Sequence, residues 1–407
     1  MHSDQIYMDN AATTRVDPKA LAEMLPFFSE KYGNASSPHS AGEEAKEAMD
    51  AARKRVAGLI NASPDEIVFT SGGTESDNLA LFGASQAKGK GHIITTAIEH
   101  PAVLNACEHL EKNGFIVTYV PVDSEGIVKL GELKRAFKPD TFLISIMHAN
   151  NEIGTIQPIK EISKLAKANG ALFHTDAVQT TGKIPIDVKD LGVDLLSVSS
   201  HKIHGPKGVG ALYIRKGVQI SPISSGGGHE RGMRSGTENV SGIVGFGAAA
   251  KIAKESMEEM DRVKKMRDRL MNGLLMIEDT MLNGSQAKRI PNNLNISFKF
   301  IEGEGLLLLL DAEGIRVSTG SACSSKSLKP SHVLRALGRS AEDAHGSLRI
   351  TLSKFNTAEE VDKVLEVIPR SVEKLRSISP FKSDAQIKEF SEKHATREEE
   401  EEHAHVH

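Results

Sequence analysis

Leu195-Leu196-Ser197-Val198-Ser199-Ser200-His201-Lys202-Ile203-His204-Gly205-Pro206 is the segment on which the fold reading turns. It opens as a short, mainly apolar run, becomes hydroxyl-rich and polar, and closes on turn residues. Runs of the same kind lie at Ile67 to Phe69, His92 to Thr95, Phe115 to Val120, Phe142 to Ile146, Leu172 to His174 and Gly210 to Ile214. Amphipathic stretches separate them. The alternation predicts an α/β domain around a mostly parallel, seven-stranded sheet flanked by helices. Adjacent apolar pairs such as Ile93-Ile94 and Leu195-Leu196 suit strands covered on both faces. Ligands of such sheets bind beyond the strand C-termini, so the residues just after each run are the candidates for chemistry.

Ala102 to Lys112 and Ile159 to Ala168 carry helical spacing, and Gly114 and Gly170 stop them. From Ile252 the apolar positions Met260, Val263, Met266, Leu270, Leu274 and Ile277 recur at intervals of three and four. That spacing predicts one long helix connecting to a smaller α+β domain. The smaller domain should hold strands at Asn293 to Phe300 and Ser347 to Ser353 and a helix from Glu304 to Leu310. The division expected is a large domain over 16–258, a small one over 1–15 and 259–383, and a polar tail over 384–407.

The chain has 407 residues, 39% hydrophobic and 26% charged, which is the profile of an ordinary globular protein rather than a disordered one. Glu398 to Glu402 supply more than the whole net charge of -4, so no global basic footprint for nucleic acid exists. No apolar run approaches the roughly 20 residues of a membrane helix, and the N-terminus lacks the order of a signal peptide. The cytoplasm is the expected compartment. Cys107 and Cys323 are too few for a disulfide framework or a four-cysteine zinc site.

Lys202 follows one strand and Asp176 follows another, Ala171 to Thr175. Alone, the first reads as a surface lysine and the second equally as a helix N-cap. Together at strand mouths they suit a shielded amine and a carboxylate for a protonated ring nitrogen. Thr70-Ser71-Gly72-Gly73-Thr74-Glu75-Ser76 joins a strand to a helix and offers a generic anion site, without the Gly-Lys-Ser/Thr of a Walker loop. His100, before Pro101, ends a strand where its ring could stack on a cofactor and exchange protons. Arg349 alternates with apolar residues and could fork to a carboxylate or simply face solvent. Cys323 stands among Gly, Ser, Thr, Ala and Lys in Ser318 to Ser327, as a mobile, reactive thiol would. Cys107 shares helical spacing with Val103 and Leu110 and reads as a core residue.

The chain resembles the cysteine desulfurases among fold-type I pyridoxal-phosphate enzymes, specifically the subgroup with a long cysteine loop that serves iron-sulfur cluster assembly. The resemblance runs over about residues 5 to 380. It rests on Asp9-Asn10-Ala11-Ala12-Thr13-Thr14, Ser71 to Asn78, Asn150-Asn151-Glu152-Ile153-Gly154, Asp176-Ala177-Val178-Gln179, the Lys202 segment, Arg231 to Thr237 and Gly320-Ser321-Ala322-Cys323. It implies that Lys202 holds the cofactor covalently, Asp176 pairs its ring nitrogen, Gln179 reaches its ring hydroxyl and His100 stacks on the ring. Thr74, Ser199 and His201 would bind its phosphate, with Gly73 and Ser200 beside them. Thr237 would reach the phosphate in a neighbouring subunit, which implies a homodimer. Asn151 and Arg349 would take the carboxylate of L-cysteine, and Cys323 would receive the sulfur for an iron-sulfur scaffold or other acceptor. No resident metal is implied, Cys323 as a transient iron-sulfur ligand apart. Gly73 stands where alanine is frequent in the family, and Ser200 where glycine is.

Two other readings are weighed with this one. Another reaction on the same fold, selenocysteine cleavage or amino-group transfer, would not depend on Cys323 in the same way. A metal-binding or scaffold protein would use the histidines, His403, His405 and His407 among them.

Overall fold

The computed structural model describes residues 5–319, 330–380, 383 and 386. Among them the chain forms β1 (Ile6–Tyr7), β2 (Ile67–Thr70), β3 (His92–Thr96), β4 (Ile116–Val120), β5 (Thr141–Ser145), β6 (Leu172–Asp176), β7 (Leu195–Ser199), β8 (Gly210–Ile214), β9 (Thr280–Leu282), β10 (Asn293–Phe298), β11 (Ile315–Arg316) and β12 (Ser347–Thr351). Strands β2 to β8 make one sheet in the order β2-β8-β7-β6-β5-β3-β4. Only β8 runs against its neighbours β2 and β7, so the expected mostly parallel seven-stranded sheet is present.

The pleat explains the paired apolar residues. Ile94, Ile144 and Leu196 pack on one face with the helices Ser40–Leu59 and Val240–Glu255; Ile93, Leu143 and Leu195 pack on the other with Gly73–Lys88 and Pro101–Lys112. Cys107 is buried in the second layer, where burial pushes its thiol up, so it is an inert core residue. The smaller sheet, β12-β10-β9, is antiparallel and packs on the helices Glu259–Leu274 and Ala358–Ile378.

The single connector helix read from the sequence is two helices, Val240–Glu255 and Glu259–Leu274. Ser256 leaves helical geometry at φ -104 and ψ 21, and its hydroxyl donates to Ile252 O at 2.8 Å. Such back-bonding gives the backbone an alternative to the helix. The apolar period stays in phase across the break, which is why spacing alone reads it as continuous.

One buried ion pair fixes the edge strand that leads into the glycine turn at Gly72. Arg53 meets Glu230 through two hydrogen bonds of 2.7 Å, and Phe69 N donates to the same carboxylate at 2.7 Å. Both side chains are buried, and Glu230 adopts the left-handed region at φ 47. Removing one partner leaves the other charge unpaired in the core. Glu230→Ala is therefore expected to destabilise the fold by about 3–5 kcal/mol, read from the midpoint and slope of urea unfolding. A loss within the scatter of surface substitutions would contradict the account.

Candidate active site

A cavity of about 320 Å³ opens where several strands end. Asp176 is the last residue of β6 and Ser199 the last of β7; Gly73 and Thr74 follow β2, His100 follows β3 and Asn151 follows β5. Ala11 and Ala12 close the cavity from the N-terminal segment, and Arg349 enters from β12. A larger cleft of about 680 Å³, lined by Lys183, Arg267 and Arg289 among others, contains none of the candidate residues. Chemistry, not size, selects between them.

Lys202 stands in the short helical turn after β7, and its ammonium donates to the carbonyls of Ala11 and, at 2.8 Å, of Ala12. That contact depends on a clamp between distant segments. Thr14 donates from its backbone N at 3.0 Å and from Oγ1 at 2.9 Å to His201 O, while His201 Nδ1 lies 3.1 Å from Thr13 Oγ1. Gln179 Nε2 donates to Ala11 O at 3.1 Å, leaving its buried Oε1 without a partner. Asp176 Oδ1 accepts Val178 N–H at 2.9 Å. Burial raises the Asp176 carboxyl, and His100 and Lys202 oppose that rise.

His100 caps the helix Pro101–Lys112, its Nδ1 accepting Ala102 N–H at 3.1 Å. The ring proton therefore sits on Nε2. Burial pulls the imidazole below its ordinary range, Asp176 pulls it back up, and Lys202 and His332 push it down. Burial also pulls His201 down to about 4, so it is a neutral hydrogen-bonding group.

At the other end of the cavity lies the N-terminus of the helix Gly73–Lys88, whose first N–H groups have no partner within the helix. The buried Ser199 Oγ also has no partner. A Cβ on Gly73 would stand 2.9 Å from Val178 Cγ2, which accounts for glycine at this position. Ser200 is fully buried and does not line the cavity; its Oγ fills the space a Cβ on Gly205 would need, 2.0 Å away.

Arg349 Nη2 bonds Asp9 Oδ1 at 2.9 Å and Nη1 reaches Asn151 O at 3.3 Å, while its buried Nε has no partner. The structure thus gathers Lys202, Asp176, Gln179, His100, Gly73, Thr74, Ser199, His201, Asn151 and Arg349 on one cavity. Thr237 is exposed and does not line it. Cys323 and His403, His405 and His407 lie outside the described residues. Sequence reading assigned no role to Asp9 or Asp77, though both stand in quoted motifs. For Asp77 the available signal was its place one helical turn after Gly73 and Thr74.

Pyridoxal phosphate asks three things of a site: an amine, a carboxylate for its ring nitrogen and a cradle for its phosphate. The residues present fit it. Lys202 and Asp176 line one cavity, the helix terminus and the unpartnered Ser199 hydroxyl offer the cradle, and Gln179 Oε1 is an acceptor awaiting a donor. Fold and site together define a pyridoxal-phosphate enzyme of the class-V aminotransferase fold. The family model described as aminotransferase class-V matches residues 6–364. The chain is 57% identical over 380 residues to cysteine desulfurase IscS of Methanosarcina thermophila, spanning 92% of this chain and 94% of that protein. Among solved structures, a NifS-like protein superposes with a TM-score of 0.86 at 48% identity, covering 91% of this chain and all of that one. Another, described as SspA in complex with cysteine, gives 0.77 at 38% identity over 86% of this chain and all of that one. The chain belongs to the cysteine desulfurase family within the class-V aminotransferases.

Proposed function

We propose that this enzyme converts L-cysteine to L-alanine and passes the sulfur to Cys323. The observation that carries the reading is the meeting of Lys202, Asp176, His100 and Arg349 on one strand-end cavity in a chain of this family. A relative solved with cysteine bound supports the substrate. Lys202 holds the cofactor covalently, Asp176 takes its ring nitrogen, Gln179 its ring hydroxyl, and His100 stacks on it. Thr74, Ser199 and His201 take the phosphate, with Gly73 and Ser200 shaping the wall. When bound, pyridoxal phosphate supplies an electron sink for negative charge at the substrate's α-carbon.

The chain's own residues supply the rest. Arg349, with Asn151, receives the substrate carboxylate on its forked guanidinium. His100 Nε2 and the Lys202 amine carry protons between substrate atoms. Cys323 attacks as the thiolate: its S–S bond to the substrate sulfur forms as the Cβ–S bond breaks, and the bonding pair passes to the carbon skeleton. Protonation there releases alanine and leaves Cys323 with a terminal S–H. The stored sulfur then goes to an acceptor, which the reading takes to be an iron-sulfur scaffold protein. A cytoplasmic homodimer, with Thr237 reaching the neighbouring copy's phosphate, and a large domain over 16–258 with a small one over the flanking segments complete the proposal. Among the described residues no helix is long and apolar enough to cross a membrane.

Quantifying alanine, sulfide and keto acid formed from cysteine tests the reading; keto acid as the main carbon product would overturn it. Arg349→Lys is expected to raise KM about 10–100-fold with little change in kcat, since one hydrogen bond of the fork to an ion is lost. An unchanged KM would remove Arg349 from carboxylate binding.

A further inference from the structure

Behind Asp176 the sheet carries a polar layer that the proposed mechanism does not use. Ser145 on β5, His174 on β6 and Ser197 on β7 face the helix Gly73–Lys88. His174 Nδ1 lies 2.8 Å from Ser145 Oγ, and its Nε2 lies 3.0 Å from Ser197 Oγ. Asp77, from that helix, approaches the same imidazole: its Oδ1 lies 3.6 Å from Nε2 and has no hydrogen-bond partner. Asp77 is 1% exposed, yet it lines the cavity alongside Asp176.

Two carboxyls buried on one small cavity cannot both ionise without a large penalty. Asp176 is the better placed to carry the charge. Lys202 and His100 face it, and Val178 N–H donates to it. Among the described residues no cation stands beside Asp77, and the Ser197 hydroxyl is what opposes its burial. His174, 3.6 Å from it, is uncharged because complete burial pulls it down to about 3. Glu99, whose field also reaches Asp77, is pushed up to about 8 by burial although Thr96 and Met147 N–H bond to it. Burial, and after it the field of Asp176, holds the Asp77 carboxyl well above the usual range.

We propose that Asp77 is a positioning residue: it is the protonated member of the Asp77 and Asp176 pair and leaves Asp176 as the one carboxylate facing the cofactor's ring nitrogen. This rests on the assignment of Asp176 given above. With Asp77 protonated and His174 neutral, Asp77, His174, Ser145 and Ser197 form a layer that carries no charge.

The test is the infrared spectrum of the holoenzyme at neutral pH, parent minus Asp77→Asn, in the region of the protonated carboxyl stretch. A band lost on substitution, and shifted in deuterium oxide, is expected; the bands of other buried acids such as Glu99 cancel in the difference. Identical spectra would show Asp77 ionised and overturn the proposal. The band reports on Asp77 alone, so its absence would leave the Asp176 assignment standing. Cofactor release on dilution separates positioning from packing. Asp77→Asn keeps the shape and an acceptor for the Ser197 hydroxyl and should release within about threefold of the parent, whereas Asp77→Leu should release roughly tenfold faster, having lost that acceptor. Equal acceleration in both variants would mean that the site uses the carboxylate charge, against the proposal.

Discussion

Lys202→Ala is expected to lose cysteine-dependent alanine formation by roughly ten-thousandfold, the scale seen when a group serving both covalent attachment and proton transfer is removed. Among the described residues Lys202 is the one amine lining the cavity. Lys183 is the nearest substitute in kind, and burial pulls it down to about 7, where a neutral amine exists; yet it lines other spaces and its Nζ donates to Gln179 O at 2.9 Å. The carbonyls of Ala11 and Ala12 receive the Lys202 ammonium, and the Thr14 clamp on His201 holds those carbonyls in place. The variant should fold, because those contacts sit at a cavity wall rather than in the core. Two measurements check it: alanine release, and retention of the cofactor on the chain after borohydride reduction, denaturation and filtration. Activity within tenfold of the parent, or cofactor still bound covalently, would sink the assignment.

Much of this site was legible because a buried sheet writes itself plainly. Ile93-Ile94 and Leu195-Leu196 are apolar pairs because the two faces of β3 and β7 meet different helix layers, and the residues ending those strands then stand out. Asp176, His100 and the turn from Thr70 to Ser76 are read that way, whereas Ser199 enters only through the family resemblance. Other features leave no local mark. Arg349 meets Asp9 across 340 residues, and only the fold shows that the pair sets the guanidinium over Asn151. Glu230 lies in a polar loop whose left-handed backbone turns it inward to Arg53. The break at Ser256 is invisible to spacing because the apolar stripe resumes in phase. Asp77 sits among polar residues at a helix start, where an acidic residue is expected for the helix dipole alone.

Cys323→Ser is expected to abolish sulfur transfer, lowering alanine formation by about a thousandfold or more, while the enzyme still binds cofactor and cysteine. The chemistry sets the size of the effect. A hydroxyl is far less acidic than a thiol, so the substituted side chain presents no anion to the substrate sulfur, and oxygen cannot store sulfur as an S–S bond does. The chain supplies its own control. Cys107 is fully buried between the helix and the sheet, with its thiol pushed up by burial, so it neither ionises nor reaches the cavity. After brief exposure of the parent to cysteine, mass spectrometry should find one added sulfur atom on the peptide that carries Cys323 and none on the peptide that carries Cys107. In Cys323→Ser the added mass should vanish, and cysteine should still change the cofactor absorbance, because Lys202, Asp176 and Arg349 are untouched. Alanine formed at the parent rate would show that sulfur leaves without help from this thiol. Keto acid formed at the parent rate would move the enzyme to amino-group transfer. Each outcome turns on a different bond: the proposal gives Lys202 the attachment of substrate and cofactor, and Cys323 the cleavage of carbon from sulfur.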